Sequence, residues 1–176
     1  MRLDETGGQG TPATWQVVAD PGAPTPPNAL GLTKSRNDKR TYNLAIVEGL
    51  EQADVDLSVM VRATGGVLNQ GGGPIWRVAD ASNYYIARWD PVEDNAYLYI
   101  MQGGVRTALA KVELELTKDA WHTLRVVMEG SHMELFIDDE PVLEADDASL
   151  PAAGTIGLWT KSDATTLFDD LSLASP

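Results

Sequence analysis

The chain has 176 residues, of which 43 % are hydrophobic, so it is long enough to bury the core of one sizeable domain. It contains no cysteine, which excludes disulfides and thiolate metal sites. Its formal net charge of −13 argues against nucleic acid and anionic membranes as partners, and no apolar run is long enough to insert into a membrane.

The predicted elements are short strands along almost the whole chain. Residues 1–14 are polar and lack hydrophobic periodicity, so we expect a flexible lead-in with no signal peptide, followed by a single domain over residues 15–176. From Trp15 onward, short runs rich in Val, Ile, Leu and Tyr alternate in polarity between turn residues, and no helical stripe lasts for three turns. About a dozen such runs predict an all-β domain of two packed sheets. In chain order the runs are WQVVAD, YNLAIV, VDLSVMVRA, PIWRVAD, NYYIARWD, NAYLYIM, VRTALAKVEL, WHTLRVVM, HMELFID, PVLEA, GTIGLWTK and TTLFDDLSLA.

The alternation within each strand predicts which side chains share a face. In residues 83–90, for example, Tyr84 and Arg88 lie on the side opposite the apolar Ala87. On each strand, the side that carries only apolar side chains is expected to line the core. If these strands are neighbours in one sheet, most of their arginines and several of their aromatic rings then share one outward face. The predicted members of that face are Arg62, Arg77, Tyr84, Arg88, Tyr97, Tyr99, Trp159 and Lys161.

Three segments resemble known sequence patterns. Residues 121–147 resemble the core hairpin of laminin-G-like and concanavalin A-like domains, in which a tryptophan opens a strand of the form W-x-x-L-x-V. Residues 154–174 resemble the last two strands of that superfamily, G-x-[IV]-G-L and F-D-D-[LIV]-x-[LIV], and residues 71–90 are similar to its G-G-x-x-[FW]-R hairpin. The matches span roughly residues 42–174, and the nearest group is the 3-keto-disaccharide hydrolase-type domains of secreted bacterial proteins.

This resemblance implies a jelly-roll sandwich of two antiparallel sheets, one of them concave, and an extracytoplasmic location. In this superfamily the concave sheet commonly holds carbohydrate, and some members bind Ca²⁺ on the rim or the convex side. Asp169 matches the last-strand aspartate that can ligate Ca²⁺ in the related glucanases. The alternative for Asp169 is a hydrogen bond to neighbouring backbone or to an arginine, since a carboxylate among apolar residues needs a partner.

The predicted face suits a sugar ligand. Pyranose rings present apolar C–H faces to aromatic side chains, and their hydroxyls need fixed donors, which Arg77 and Arg88 would supply beside the platforms of Trp159 and the tyrosines. The alternative is that these two arginines pair with nearby acids, such as Asp80 and Asp90, and hold the sheet together.

The carboxylates of the sequence bear on two ways of cleaving a glycosidic bond, hydrolysis by a pair of acids and elimination from a 3-keto sugar. Retaining β-glucanases of this fold carry E-x-D-x-E-type acids on one strand, whereas this chain offers only Glu113 and Glu115 with no aspartate between them, so that activity is not expected. A 3-keto sugar is cleavable by elimination, because the C3 carbonyl acidifies the C2 proton, and this needs one base beside a cation such as Arg88. Neither His122 nor His132 falls on the predicted face. The remaining candidate bases are Tyr84, Asp90, Glu93 and Asp163.

Two functions therefore remain open at this point. The first is a carbohydrate-active or carbohydrate-binding domain that engages a sugar on its concave sheet and acts, if it is catalytic, on 3-keto-glycosides. The second is a laminin-G-like adhesion module that binds protein or glycan without chemistry. A base positioned beside the arginines would favour the enzyme, and a flat face would favour adhesion.

Overall fold

The computed structural model describes residues 1–8, 13–35 and 39–176, and every regular element within them is a β-strand. This part of the chain contains no helix that is long and apolar enough to cross a membrane. The strands are β1 (Arg2–Thr6), β2 (Thr14–Ala19), β3 (Asn28–Lys34), β4 (Tyr42–Ile46), β5 (Val55–Gly65), β6 (Gly73–Asp80), β7 (Asn83–Asp90), β8 (Asn95–Gln102), β9 (Val105–Glu113), β10 (His122–Glu129), β11 (His132–Ile137), β12 (Glu140–Asp146), β13 (Thr155–Lys161) and β14 (Thr165–Ala174).

The strands form two antiparallel sheets of seven strands each. Sheet A has the order β1-β4-β13-β6-β7-β8-β9, and sheet B has the order β12-β11-β10-β5-β14-β3-β2. The prediction of an all-β, two-sheet antiparallel sandwich is confirmed.

The main core lies between the two sheets and follows from the alternation of β5. Val55, Leu57, Val59 and Val61 are buried there, while the residues between them are partly exposed. They pack against inward-facing residues of sheet A such as Trp76. Each fully buried side chain of this size stabilises the fold by about 1.5–3 kcal/mol relative to its exposed state.

A second apolar cluster lies on the opposite side of sheet A, which we call the outer face of sheet A. No strand of the described chain covers this face as a third layer, yet several of its large side chains are fully buried because they cover one another. Its buried members are Leu44, Ile46, Ile75, Val78, Tyr84, Ile86, Tyr99, Met101 and Trp159.

Strand β6 departs from simple alternation at Arg77. The register with β7 shifts between Trp76 and Asp80, and Arg77 has a φ of +46°, in the left-handed region. Because of this bulge, Val78 joins Ile75 on the outer face instead of following Trp76 into the core. The simple alternation on which Arg77 was assigned to the predicted face therefore does not hold in β6.

The start of the chain also differs from the expected lead-in. Arg2–Thr6 pair with β4 and form the edge strand of sheet A, so the boundary placed at residue 15 misses one strand. Residues 9–12 of the expected lead-in lie outside the described residues.

Candidate functional site

The outer face of sheet A brings together six of the eight residues predicted to share a face. Tyr84 and Arg88 come from β7, Tyr97 and Tyr99 from β8, and Trp159 and Lys161 from β13. The pairing of Arg88 with Tyr97 and of Tyr84 with Met101 aligns β7 and β8 so that side chains of one parity meet on this face. Tyr97 and Tyr99, two residues apart on β8, stack with ring centroids 4.6 Å apart.

Arg106, on β9, is the main member of the face that sequence reasoning missed. Its guanidinium carbon lies 4.2 Å from the centre of the Tyr99 ring, 5.2 Å from that of Tyr42 and 5.7 Å from that of Trp159. Neighbouring strands are about 4.8 Å apart, so a flat sheet would separate β9 from β13 by about 19 Å. The contact with Trp159 crosses three intervening strands and the contact with Tyr42 crosses four, so sheet A must curve, with its outer face on the concave side.

Arg88 is fixed at the middle of this face. Its side chain is only 1 % exposed and donates to the buried carboxylate of Asp90 and, at 3.0 Å, to Oδ1 of Asn69. Oε2 of Glu93 lies 3.9 Å from its Nη1. Buried guanidinium groups held in this way lose little further freedom when they bind a ligand.

A glycine run places Asn69 against Arg88. Gly71 has a φ of +72°, and a Cβ atom there would lie 2.2 Å from the carbonyl oxygen of Trp89. The backbone of Gly72 exchanges two hydrogen bonds of 3.1 Å with that of Trp89, which draws the loop before β6 onto β7. Only glycine permits this close approach in the left-handed region.

Three buried nitrogen atoms on the outer face make no hydrogen bond of ordinary geometry to a residue that the structure describes. They are Nε of Arg88, Nη1 of Arg106 and Nε1 of Trp159. Most buried donors in folded proteins are hydrogen-bonded, so the two guanidinium nitrogens favour a ligand that supplies acceptors. The Trp159 indole also lies near the Tyr84 hydroxyl, and an indole donor without a partner occurs in the main core at Trp89 as well.

The cations of the face act on one another. Burial, together with repulsion from Arg88 and Arg106, lowers the pKa of the Lys161 ammonium to about 8. Burial also raises the pKa of the Tyr99 hydroxyl, against the opposing effect of the nearby arginines. Both groups therefore occupy a site that is partly shielded from water.

Arg62 and Arg77, the other two predicted members, lie elsewhere. Arg62 is on β5 of sheet B, where it pairs with Asp20 and Asp119, so its outward orientation was predicted correctly but on the other sheet. Arg77 leaves the outer face at its bulge. Its guanidinium donates to the carbonyl oxygens of Ala53, Gly130 and Leu150 and pairs with Asp54, which ties loops together as a structural arginine.

The four candidate bases have very different surroundings. Tyr84 is fully buried, hydrogen-bonds Thr6 at 2.7 Å, and has a pKa raised by burial, so it is a neutral group. The Asp90 carboxylate is fully buried in its pair with Arg88 and accepts the Val92 N–H.

Asp163 accepts hydrogen bonds from the backbone N–H groups of residues 67–69, and these outweigh partial burial and lower its pKa. Of the four candidate bases, Glu93 alone combines an exposed carboxylate, 51 % accessible, with a position beside Arg88.

The histidines and the predicted metal residue lie away from the outer face. His122 packs edge-on against the core residue Trp89 and bonds Asp138 and the Thr117 carbonyl. Oδ2 of Asp169 accepts the Thr25 N–H at 2.8 Å, which is the hydrogen-bonded alternative to a Ca²⁺ ligand.

Among the described residues, one group has the spacing for a metal ion. His132, Glu134 and Glu144, on adjacent strands β11 and β12 of sheet B, offer ligand atoms that lie within 4.8 Å of one another. This group is on the other sheet from the candidate site and is partly exposed.

Comparison with solved structures gives the class of fold. The carbohydrate binding module CBM66 from Bacillus subtilis superposes with a TM-score of 0.75 at 20 % identity and covers 98 % of this chain and 95 % of that one. A protein of unknown function with a galectin-like fold, also from Bacillus subtilis, gives a TM-score of 0.68 at 10 % identity and covers 98 % and 89 %. At these identities the similarity establishes a concanavalin A-like jelly roll, as the resemblance implied.

Sequence comparison gives the family. The chain belongs to the family described as the 3-keto-alpha-glucoside-1,2-lyase-like domain, which matches residues 6–174. It is also 28 % identical over 98 residues to a levanase of Bacillus subtilis (strain 168). That match covers 54 % of this chain but only 14 % of the levanase, so the chain spans a small part of that relative.

Proposed function

We propose that the outer face of sheet A binds a carbohydrate. The observation that carries the proposal is the presence, on one curved face, of stacked rings beside a buried and rigidly held arginine that has an unpaired donor. A sugar ring packs its apolar C–H face on Tyr97, while its hydroxyls accept hydrogen bonds from Arg88 and Arg106.

The named relatives support the same class of ligand. One is a carbohydrate binding module, one is a levanase, and the family is described by a glucoside lyase. The proposal includes the extracytoplasmic location that the resemblance to domains of secreted bacterial proteins implies.

The test is a glycan array that includes neutral, fructan and acidic oligosaccharides, followed by calorimetry on the strongest binder. Tyr97→Ala is expected to weaken binding about tenfold, which corresponds to about 1.4 kcal/mol. The matched control is Phe136→Ala, because Phe136 is a partly exposed ring on β11 of sheet B that contacts Arg125. Equal loss in both variants, or no binding to any glycan by the folded protein, would reject the proposal, and the second result would favour the adhesion alternative.

A second candidate function is cleavage of 3-keto-glycosides at the same face. The observation that favours it is the position of the Glu93 carboxylate beside Arg88. Glu93 would remove the C2 proton, Arg88 would stabilise the negative charge that develops on the C3 oxygen, and the C1–O bond would break as the enolate collapses. The departing oxygen takes up the proton that Glu93 removed, so the carboxylate is regenerated and the products are a 1,2-unsaturated 3-keto sugar and an alcohol.

Mass spectrometry of 3-keto-disaccharides incubated with the protein tests this chemistry. Cleavage that disappears in Glu93→Gln but persists in Glu113→Gln would support it, since Glu113 is an exposed carboxylate on β9 that pairs with Lys111. Absence of cleavage, or equal cleavage by both variants, would leave binding as the function of the face.

A further inference from the structure

Among the described residues at the centre of the outer face of sheet A, cations outnumber carboxylates. Beside Tyr97, Lys111 forms an ion pair with Glu113 at the edge of this face. The remaining unit charges, nearer its centre, are three cations, Arg88, Arg106 and Lys161, and two carboxylates, Asp90 and Glu93. The chain as a whole carries a net charge of −13. A cationic face in so acidic a protein is not needed for solubility, which the surrounding acids provide.

Asp90 and Glu93 form ion pairs with only one of these three cations, although both also act on Lys161 from a greater distance. Asp90 is fully buried and paired with Arg88, and Glu93 also lies beside Arg88. Neither Arg106 nor Lys161 forms an ion pair with a carboxylate of the described residues. Arg106 is instead held by the faces of three aromatic rings, and these leave its Nη1 without an acceptor.

We infer that the ligand of this face is an acidic sugar, with a carboxylate or sulfate group placed between Arg106, Lys161 and Arg88. An oxyanion would give the unpaired guanidinium nitrogens charge-assisted hydrogen bonds and would relieve the repulsion among the three cations. The rings beside them would hold the apolar face of the same sugar. This inference rests on the proposed carbohydrate-binding function and narrows it to one chemical class.

The two forms of oxyanion, carboxylate and sulfate, are distinguished by the arms of one calorimetric experiment. The probes are matched pairs that differ only in charge: an oligogalacturonate trimer against its methyl ester, and a 6-sulfated galactose disaccharide against the unsulfated one. The acidic member of at least one pair is expected to bind at least tenfold more tightly, and the difference should shrink as NaCl rises from 20 to 200 mM, because salt screens partly exposed charges.

Variants locate the effect on the protein. Lys161→Met should reduce the affinity for the acidic probe about three- to tenfold and leave that for its neutral partner unchanged. Lys118→Met is the control, because Lys118 is exposed beside Asp119, which pairs with Arg62 on sheet B. Its affinities should match those of the wild type.

The two possible failures are distinct. Equal binding of the acidic and neutral members of both pairs would overturn the inference and leave the carbohydrate site in place. Equal effects of Lys161→Met on both members would overturn it as well. If no probe and no glycan of the array binds to the folded protein, the proposed function fails and the inference fails with it.

Discussion

The guanidinium carbon of Arg106 on β9 lies 5.7 Å from the centre of the Trp159 ring on β13, although β6, β7 and β8 separate their strands. This contact is possible only because sheet A curves around its outer face. It places Arg106 over the aromatic centre of the face and explains why Trp159 is fully buried on a side of the sheet that no described strand covers. A ligand must therefore bind beside or displace this arginine.

Arg88 supports the fold as well as the site, and removing it should destabilise the protein strongly. Arg88→Met leaves the fully buried Asp90 carboxylate without its cation, and breaking such a pair lowers the free energy of unfolding by about 3–5 kcal/mol. Urea denaturation measures the loss. Arg2→Ala is the control, because the Arg2–Asp4 pair is exposed and its loss is expected to change stability by less than about 1 kcal/mol. A loss of similar size in both variants would contradict the buried pair.

Lys161 should make stability depend on pH in a narrow window. Its pKa in the folded state is about 8, below the ordinary value of 10.5, so between these values the unfolded chain binds more protons than the folded one. The free energy of unfolding should therefore rise with pH from about 8 upward, and Lys161→Met should remove this contribution. The measurement is the difference between wild type and variant in urea at pH 7.5 and 9.5, because the titration of tyrosines, which both proteins share, cancels in that difference. A difference that does not change with pH would contradict the repulsion described for this face.

Within the glycine run before β6, a side chain at position 71 should destabilise the protein. Gly71→Ala is expected to lower the free energy of unfolding by about 2 kcal/mol or more, because the residue has positive φ and its Cβ would collide with the Trp89 carbonyl. Gly103→Ala is the matched control: its φ is also positive, but nothing lies within 4 Å of the added atom. Thermal unfolding compares the two variants: Gly71→Ala suffers both backbone strain and a steric clash, whereas Gly103→Ala suffers backbone strain alone. Equal shifts in Tm would mean that the loop relaxes, and that Asn69 is not held against Arg88 by glycine.

Much of the fold could be predicted from alternation in the sequence. The strands β7, β8 and β13 keep a regular period of two through the residues of the site, so parity placed Arg88, Tyr97 and Trp159 on one face. The alternation tells which side of its own strand a residue occupies, but not which sheet that strand joins. Arg62 was therefore grouped with residues of sheet A, although it lies on sheet B, on the other side of the main core. The bulge at Arg77 depends on a positive φ, and nothing in the residue types around it predicts that backbone conformation.

The remaining parts of the site depend on tertiary structure. Strand β9 is partly exposed along its length and has no clear apolar side, so nothing in its sequence pointed to Arg106. Arg106 reaches the aromatic centre of the face because the sheet curves. Asn69 reaches Arg88 because the loop before β6 is hydrogen-bonded to β7. The metal prediction at Asp169 used a family position whose carboxylate here accepts a backbone hydrogen bond.

The most direct test of the central claim is the tryptophan indole region of a ¹H–¹⁵N NMR spectrum, recorded while the strongest glycan of the array is added. The Trp159 indole lies under Arg106 at the aromatic centre of the face, so we expect its Nε1–H resonance to move on binding, in step with backbone amides of β7, β8 and β13. The indole of Trp15, which lies on β2 of sheet B, should stay unchanged. Shifts confined to Trp15 and to sheet B, with Trp159 unmoved, would contradict the assignment of the ligand to the outer face of sheet A.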